Sequence, residues 1–136
     1  RGMNQQFKSI EYWNRILELD PNNKVILTRA GDAFRTTGNF EKAVEYYTKA
    51  LNIDFDIYAA IGLALICKAE GRFDEAIERF SNLIKDDPKN ARLYVDLAEC
   101  YVQCSKTEEA IRVLETYTKI DSRNPIVKSN LEKLKK

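Results

Sequence analysis

The chain contains no histidine among its 136 residues. This absence excludes the Ser-His-Asp and Cys-His arrangements that activate a nucleophile, and it removes imidazole as a metal ligand. The five glycines are scattered singly along the chain, so the sequence has no glycine-rich loop that could bind a phosphate group. We therefore expect a protein that is not an enzyme and that binds neither a metal nor a cofactor.

Neither sign of charge is in excess, because 22 basic residues balance 21 acidic residues to give a net charge of +1. A nucleic-acid partner or an anionic membrane surface is attracted by a surplus of Lys and Arg on one face. No apolar run approaches the roughly 18 residues that a membrane-spanning helix requires. We expect no nucleic-acid partner and no membrane span.

Three cysteines are present, and they do not form a CxxC motif. Cys100 and Cys104 are four residues apart, a spacing that could present two ligands to a soft metal, but two thiolates fall short of a four-ligand zinc site. We interpret Cys67, Cys100 and Cys104 as small thiols that fill the core. An odd number of cysteines without CxxC favours a reducing compartment such as the cytoplasm.

Three blocks of the chain repeat at a nearly constant step. Gly38 and Gly71 mark the turns of the first two blocks and are 33 residues apart, and Ser105 follows 34 residues after Gly71. Each turn is followed five residues later by an alanine: Ala43, Ala76 and Ala110. A period of this size indicates a stack of supersecondary units, each of which cannot bury its apolar face alone.

The pattern within each block is helical. Apolar residues fall at spacings of three and four, and no segment shows the sustained alternation of a strand. Gly38 and Gly71 can adopt the left-handed conformation that ends a helix, and the residues before Pro21 and Pro88 avoid the helical conformation. The sequence thus predicts an all-α fold with helices over residues 4–19, 23–37, 40–53, 56–70, 73–86, 90–104, 107–120 and 124–135.

These blocks resemble the tetratricopeptide repeat. The resemblance rests on a small residue within each first helix (Gly31, Ala64, Ala98) and on the alanine that follows each turn. The first two blocks also have the turn glycine and an aromatic residue two positions later, which Ser105 and Thr107 replace in the third block. The segments Leu-Glu-Leu-Asp-Pro-Asn-Asn (17–23) and Ile-Lys-Asp-Asp-Pro-Lys-Asn (84–90) match the boundary between two such repeats. The resemblance implies one domain over residues 1–136, a right-handed superhelical solenoid of antiparallel helix pairs.

The same resemblance divides the chain into about three full repeats, a leading half repeat and a cap. Residues 4–20 form the second helix of a partial repeat, residues 24–56, 57–90 and 91–123 form repeats 1 to 3, and residues 124–136 form the C-terminal cap helix. The first predicted helix carries an apolar stripe that one repeat alone does not cover: Phe7, Ile10, Trp13, Ile16 and Leu17. Self-association through this N-terminal helix is a possible way to cover the stripe.

Family geometry implies a concave groove, lined by the first helices, that binds a peptide or helix of a protein partner. The implied partner-binding residues are Thr28, Arg29, Asp32, Arg35, Tyr58, Ile61, Leu65, Lys68, Arg92, Val95, Asp96 and Glu99. Among them Tyr58, Ile61 and Leu65 form an apolar patch, which either anchors a ligand or only packs against neighbouring helices. The alternative function is a structural or self-associating segment of a longer repeat protein, without a dedicated peptide ligand.

One subclass of the family grips the C-terminal carboxylates of chaperones with Lys, Asn and Arg side chains on three first helices. The corresponding positions here hold Thr28 and Asp32, then Gly62, then Arg92 and Asp96. Two acidic residues would repel a carboxylate, so the sequence predicts no chaperone clamp.

Overall fold

The computed structural model describes the backbone of residues 2–136 and the side chains of residues 11–136. Every regular element in this part of the chain is an α-helix, which confirms the predicted fold class. The predicted helix limits differ from the observed ones by at most two residues at either end. The helices are α1 (Gly2–Leu19), α2 (Lys24–Thr36), α3 (Phe40–Ile53), α4 (Ile57–Ala69), α5 (Phe73–Asp86), α6 (Ala91–Gln103), α7 (Thr107–Thr118) and α8 (Pro125–Lys135).

Asparagine side chains cap the start of four helices. An asparagine oxygen at this position accepts hydrogen bonds from backbone N–H groups that have no partner within the helix. Asn124, for example, accepts from both Ile126 and Val127 at 3.1 Å. The four capping residues are Asn23, Asn39, Asn90 and Asn124.

The turn within each repeat has the same backbone conformation whether or not it contains glycine. Gly38 and Gly71 adopt φ values of +85° and +79°, as the repeat pattern predicts. Ser105, at the equivalent position of the third block, adopts φ +60°. A left-handed residue that is not glycine costs about 1–2 kcal/mol, so the helix pair on either side of Ser105 enforces this turn.

The chain separates into two compact units, of which one ends at Ile66 and the other begins at Cys67. We refer to them as the N-terminal and the C-terminal unit. In the N-terminal unit α1 packs on α2, and α2 packs on α3. Its core cluster consists of Leu27, Ala43, Tyr47, Ala50, Ala59 and Ile66.

In the C-terminal unit α6 packs against both α5 and α7, and α8 packs against α7 and α6. Its core cluster consists of Tyr94, Val95, Ala98, Ala110, Leu114, Tyr117, Val127 and Leu131. The rings of Tyr94 and Tyr117 lie 5.0 Å apart, and their hydroxyls donate hydrogen bonds to the carbonyls of Pro88 and Lys89. These bonds fix the segment between α5 and α6. The boundaries of the individual repeats remain a prediction.

Helix α1 buries only part of its apolar surface within the described residues. Trp13, Ile16 and Leu17 are half-buried, and Leu17 packs against the core cluster of the N-terminal unit. Tyr12 and Leu19 are exposed, with 63% and 90% of their surfaces accessible. The side chains of Phe7 and Ile10, which belong to the predicted stripe, lie outside the described residues.

The three alanines that follow the turns are completely buried. Their burial is what the predicted helix crossings require, because a residue at a crossing must be both small and buried.

Enlarging one of these alanines should overpack the core. We expect Ala76→Leu to lower the free energy of unfolding by about 1–3 kcal/mol, as measured by urea denaturation. Ala69→Leu is the matched control, because Ala69 is exposed at the end of α4 and its enlargement should change stability by less than about 0.5 kcal/mol. Equal stabilities of the two variants would contradict the packing described for Ala76.

Candidate functional site

The ring of Tyr47 lies between α2 and α4 in the N-terminal unit. It is fully buried and contacts the bare backbone at Gly31 on one side and at Gly62 on the other. A Cβ atom at Gly31 would lie 2.6 Å from Cε1 of Tyr47, and a Cβ atom at Gly62 would overlap the same ring. Both first helices of this unit therefore approach α3 through a glycine.

The hydroxyl of Tyr47 connects two of the predicted partner-binding residues. It donates a hydrogen bond to Oδ1 of Asp32 at 2.5 Å and accepts one from Nε of Arg35 at 3.1 Å. Burial raises the pKa of Tyr47, and the hydrogen bond to Asp32 raises it further, so the hydroxyl remains a donor. Asp32 and Arg35 are thus engaged with α3 and with each other.

Thr28 was predicted to line the binding groove, but it is only 5% exposed. Its hydroxyl donates a hydrogen bond to Oδ2 of Asp56 at 2.8 Å, and Oδ1 of Asp56 accepts one from the backbone N–H of Tyr58. The prediction of a direct ligand contact is wrong for Thr28, because its side chain is buried and its hydrogen bond to Asp56 connects α2 to the start of α4.

Three apolar side chains lie along one face of α4 and retain access to solvent. Tyr58 is 70% exposed, and Ile61 and Leu65 are half-buried. Their spacing of three and four residues places them on the same side of the helix. We call these three residues the α4 face. The Thr28–Asp56 hydrogen bond places the start of this face beside α2, on which Arg29 is exposed.

Asp96 is the centre of a charge network in the C-terminal unit. Its side chain is 1% exposed; Nζ of Lys68 donates to its Oδ1 at 3.0 Å, and Nε of Arg92 donates to its Oδ2 at 3.3 Å. Lys68 also bonds to Glu99. Burial by itself lowers the pKa of Lys68, but the hydrogen bonds to Glu99 and Asp96 outweigh it and raise the pKa above its ordinary value of 10.5.

Burial corrects two further predictions on α6. Asp96 cannot contact a ligand directly, since Lys68 and Arg92 enclose its carboxylate. Val95 belongs to the core cluster of the C-terminal unit and is also buried. The exposed predicted residues on this helix are Arg92 and Glu99.

The thiols are not arranged for reactivity. Burial raises the pKa of Cys67, whose Sγ donates a hydrogen bond to Oε2 of Glu75 at 3.0 Å. Burial also raises the pKa of Cys100 to about 11, and Cys104 is half-buried. Within the part of the chain that the structure describes, no cluster of three or more His, Cys, Asp or Glu residues could hold a metal ion. None of the described helices is both long enough and apolar enough to span a membrane.

Sequence reasoning missed a cleft of about 170 Å³ between α6 and α8. We call it the α6–α8 cleft, and it is lined by Ala98, Glu99, Val102, Gln103, Leu114, Asn130, Lys133 and Leu134. The lysines of α8 are evident in the sequence, but the repeat pattern does not predict that one of them, Lys133, lies beside apolar side chains of α6 and α7.

Two family models of the tetratricopeptide repeat match residues 26–57 and 68–134 of the chain. The chain belongs to the tetratricopeptide-repeat family. Members of this family are protein–protein interaction scaffolds and are generally not enzymes, and the same scaffold role follows for this repeat protein.

Curated relatives match at modest identity. The repeat protein is 30% identical over 105 residues to the small glutamine-rich tetratricopeptide repeat-containing protein 2 of Mycosarcoma maydis, covering 75% of this chain and 29% of that protein. It is 27% identical over 116 residues to anaphase-promoting complex subunit 3 of Schizosaccharomyces pombe, covering 85% of this chain and 17% of that protein. The chain therefore spans less than a third of either relative.

A solved structure of MamA from Desulfovibrio magneticus superimposes with a TM-score of 0.81 at 17% identity, covering 95% of this chain and 73% of that one. This likeness shows that the two chains share a fold.

The charge network makes a pH-dependent contribution to stability. We expect Lys68→Met to lower the free energy of unfolding at pH 8 by about 1.5–3 kcal/mol, because it removes charge-assisted hydrogen bonds from a buried carboxylate. Since the pKa of Lys68 is raised on folding, this contribution is fully present below pH 10.5 and is lost as the pH rises through the folded-state value.

The difference between wild type and Lys68→Met should therefore shrink as urea denaturation is repeated at increasing pH above 10.5. Lys119→Met is the control, because Lys119 is exposed. A difference for Lys68→Met that stays constant across this range would contradict the assigned network.

Proposed function

We propose that this repeat protein acts without catalysis and binds a peptide or helix of a partner protein through the exposed faces of its first helices. The α4 face supplies the apolar contact. The observation that carries the proposal is the 70% exposure of Tyr58, beside Ile61 and Leu65, on a helix in which Lys68 is the one charged residue. Exposed aromatic side chains that are rigidly held are frequent anchors of protein interfaces.

The ion pairs within each unit reduce the number of charged side chains that are free to contact a ligand. Asp32, Arg35 and Lys68 are paired within their own units, so recruiting them to a ligand would leave another charge without its partner. Arg92 is likewise paired with Asp96. Arg29 is exposed on α2 and remains for a polar contact, and its positive charge favours an acidic group beside the apolar anchor of the ligand.

This arrangement differs from the chaperone carboxylate clamp. That clamp requires an asparagine at the position of Gly62, and any Cβ atom there would overlap the ring of Tyr47. The acidic side chains of Asp32 and Asp96 occupy two further clamp positions. The ligand is therefore expected to be recognised by an internal apolar anchor rather than by its terminal carboxylate.

Tyr58→Glu should weaken binding of the partner at least tenfold, or about 1.4 kcal/mol, because it places a charge where an apolar anchor is desolvated. The partner would be captured on the immobilised repeat protein, identified by mass spectrometry, and titrated against each variant by calorimetry. Thermal unfolding should change little, since Tyr58 is exposed.

Val44→Glu is the matched control, because Val44 is also an exposed apolar residue but lies on the second helix of the repeat. If Val44→Glu weakens binding as much as Tyr58→Glu does, the binding surface is not the α4 face.

A second candidate function is self-association through α1. Tyr12 and Leu19 are seven residues apart and therefore share one side of the helix. A pair of exposed apolar side chains two turns apart can form the centre of a helix–helix contact between two copies.

Self-association would appear as a sedimentation coefficient that rises with protein concentration. The double variant Tyr12→Glu/Leu19→Glu should remove this rise, because like charges would face each other across the contact. Ile120→Glu, at an exposed position of the C-terminal unit, should leave it unchanged. A wild-type coefficient that is constant over a hundredfold range of concentration would rule out this candidate.

A further inference from the structure

The turn between α3 and α4 exposes a phenylalanine to solvent. Phe55 follows an aspartate in this turn, and in the turns before α2 and α6 the residue after the aspartate is a proline, Pro21 or Pro88. A proline at this position restricts the backbone of the turn, which a phenylalanine cannot do. Phe55 is 55% exposed, and Ile53 at the end of α3 is 43% exposed. Packing within the N-terminal unit therefore does not account for this aromatic side chain.

A hollow of about 450 Å³ opens next to Ile53 in the same unit. Leu27, which is 2% exposed, forms its apolar base. A cavity of roughly 150 Å³ lined by aliphatic side chains holds one benzene molecule, so this hollow has room for a phenylalanine ring and for part of the turn that carries it. The hollow is lined by Pro21, Asn22, Leu27, Lys49, Asn52 and Ile53.

One basic and one acidic side chain lie beside these apolar residues. Nζ of Lys24, at the start of α2, lies 3.8 Å from Oδ2 of Asp54 and donates a hydrogen bond to the carbonyl of Phe55 at 3.4 Å. The Lys24 side chain is 30% exposed and that of Asp54 is 78% exposed. An ion pair that is this long and this exposed contributes little to the stability of a single chain. Both charges are therefore accessible to a second molecule.

We propose that two copies of the chain associate through this surface of their N-terminal units. We call it the α3–α4 turn face, and it consists of Lys24, Ile53, Asp54, Phe55 and the hollow. In a two-fold symmetric contact every interaction occurs twice, with the roles of the two copies exchanged. Phe55 of each copy enters the hollow of the other copy, and Lys24 of each copy pairs with Asp54 of the other.

The α3–α4 turn face is complementary to itself, and this property identifies a second copy as its occupant. It carries an exposed aromatic ring together with a hollow large enough to accept one, and it carries one charge of each sign. Lys49, the charged residue that lines the hollow, is paired with Glu45 on its own helix at 3.4 Å. An acidic partner would be repelled by Asp54 and a basic partner by Lys24, whereas a second copy brings the opposite charge to each.

This contact is distinct from both surfaces described under the proposed function. It includes no residue of the α4 face, and it includes neither Tyr12 nor Leu19. Tyr58→Glu should therefore leave the association of two copies unchanged, and so should Tyr12→Glu/Leu19→Glu.

The first test is sedimentation velocity of the full chain over a hundredfold range of concentration. Phe55→Glu should raise the dissociation constant of the dimer at least tenfold, because it would place a charge in an apolar hollow. Ile126→Glu is the matched control, since Ile126 is 54% exposed but belongs to the C-terminal unit, and it should change the constant less than twofold. Circular dichroism establishes that both variants are folded.

The second test exchanges the two charges. Lys24→Glu and Asp54→Lys should each weaken dimerisation at least fivefold, because like charges would then face each other across the contact. An equimolar mixture of the two variants should associate, since both pairs across the contact again have opposite charges. Fluorescently labelled Lys24→Glu should therefore sediment faster when unlabelled Asp54→Lys is added. The double variant Lys24→Glu/Asp54→Lys should dimerise by itself within threefold of wild type.

Four results would overturn the assignment of the α3–α4 turn face. The first is a wild-type sedimentation coefficient that does not depend on concentration, and the second is an equal effect of Phe55→Glu and Ile126→Glu. The third is a mixture of the two charge variants that associates no better than either variant alone. The fourth is loss of dimerisation in Tyr12→Glu/Leu19→Glu but not in Phe55→Glu, which would identify α1 as the contact between copies.

Discussion

The placement of Tyr47 between two glycines is the constraint on which the N-terminal unit depends. Glycine in the interior of a helix costs about 0.5–1 kcal/mol relative to alanine, so Gly31 and Gly62 together cost roughly 1–2 kcal/mol. Burying a tyrosine removes about 150–250 Å² from water, which is worth roughly 4–6 kcal/mol at 25 cal/mol per Å². Burial of the ring therefore outweighs the two glycines. It also determines how closely α2 and α4 approach α3, and hence which side of α4 faces solvent.

Each unit has an aspartate on a first helix, and the two aspartates are stabilised by different partners. Asp32 remains partly exposed and accepts a hydrogen bond from Tyr47. Asp96 is buried and forms ion pairs with two basic side chains, those of Lys68 and Arg92. A buried carboxylate without such partners would be strongly destabilising. The main role of Lys68 and Arg92 is therefore to stabilise the folded C-terminal unit. The side chains that we propose for ligand contact, the α4 face and Arg29, lie outside these networks.

The sequence predicts the helices well because several ends carry a local signal, such as Gly71 between α4 and α5 or Pro88 after α5. Burial of individual groove residues was not predictable in the same way. Thr28 and Asp96 are buried through partners that are each 28 residues distant, Asp56 and Lys68. A helical pattern gives the direction of a side chain on its own helix, but it does not specify the side chain that meets it from the next repeat. The α6–α8 cleft was missed for the same reason. Its width depends on how Val127 and Leu131 pack α8 against the core cluster of the C-terminal unit.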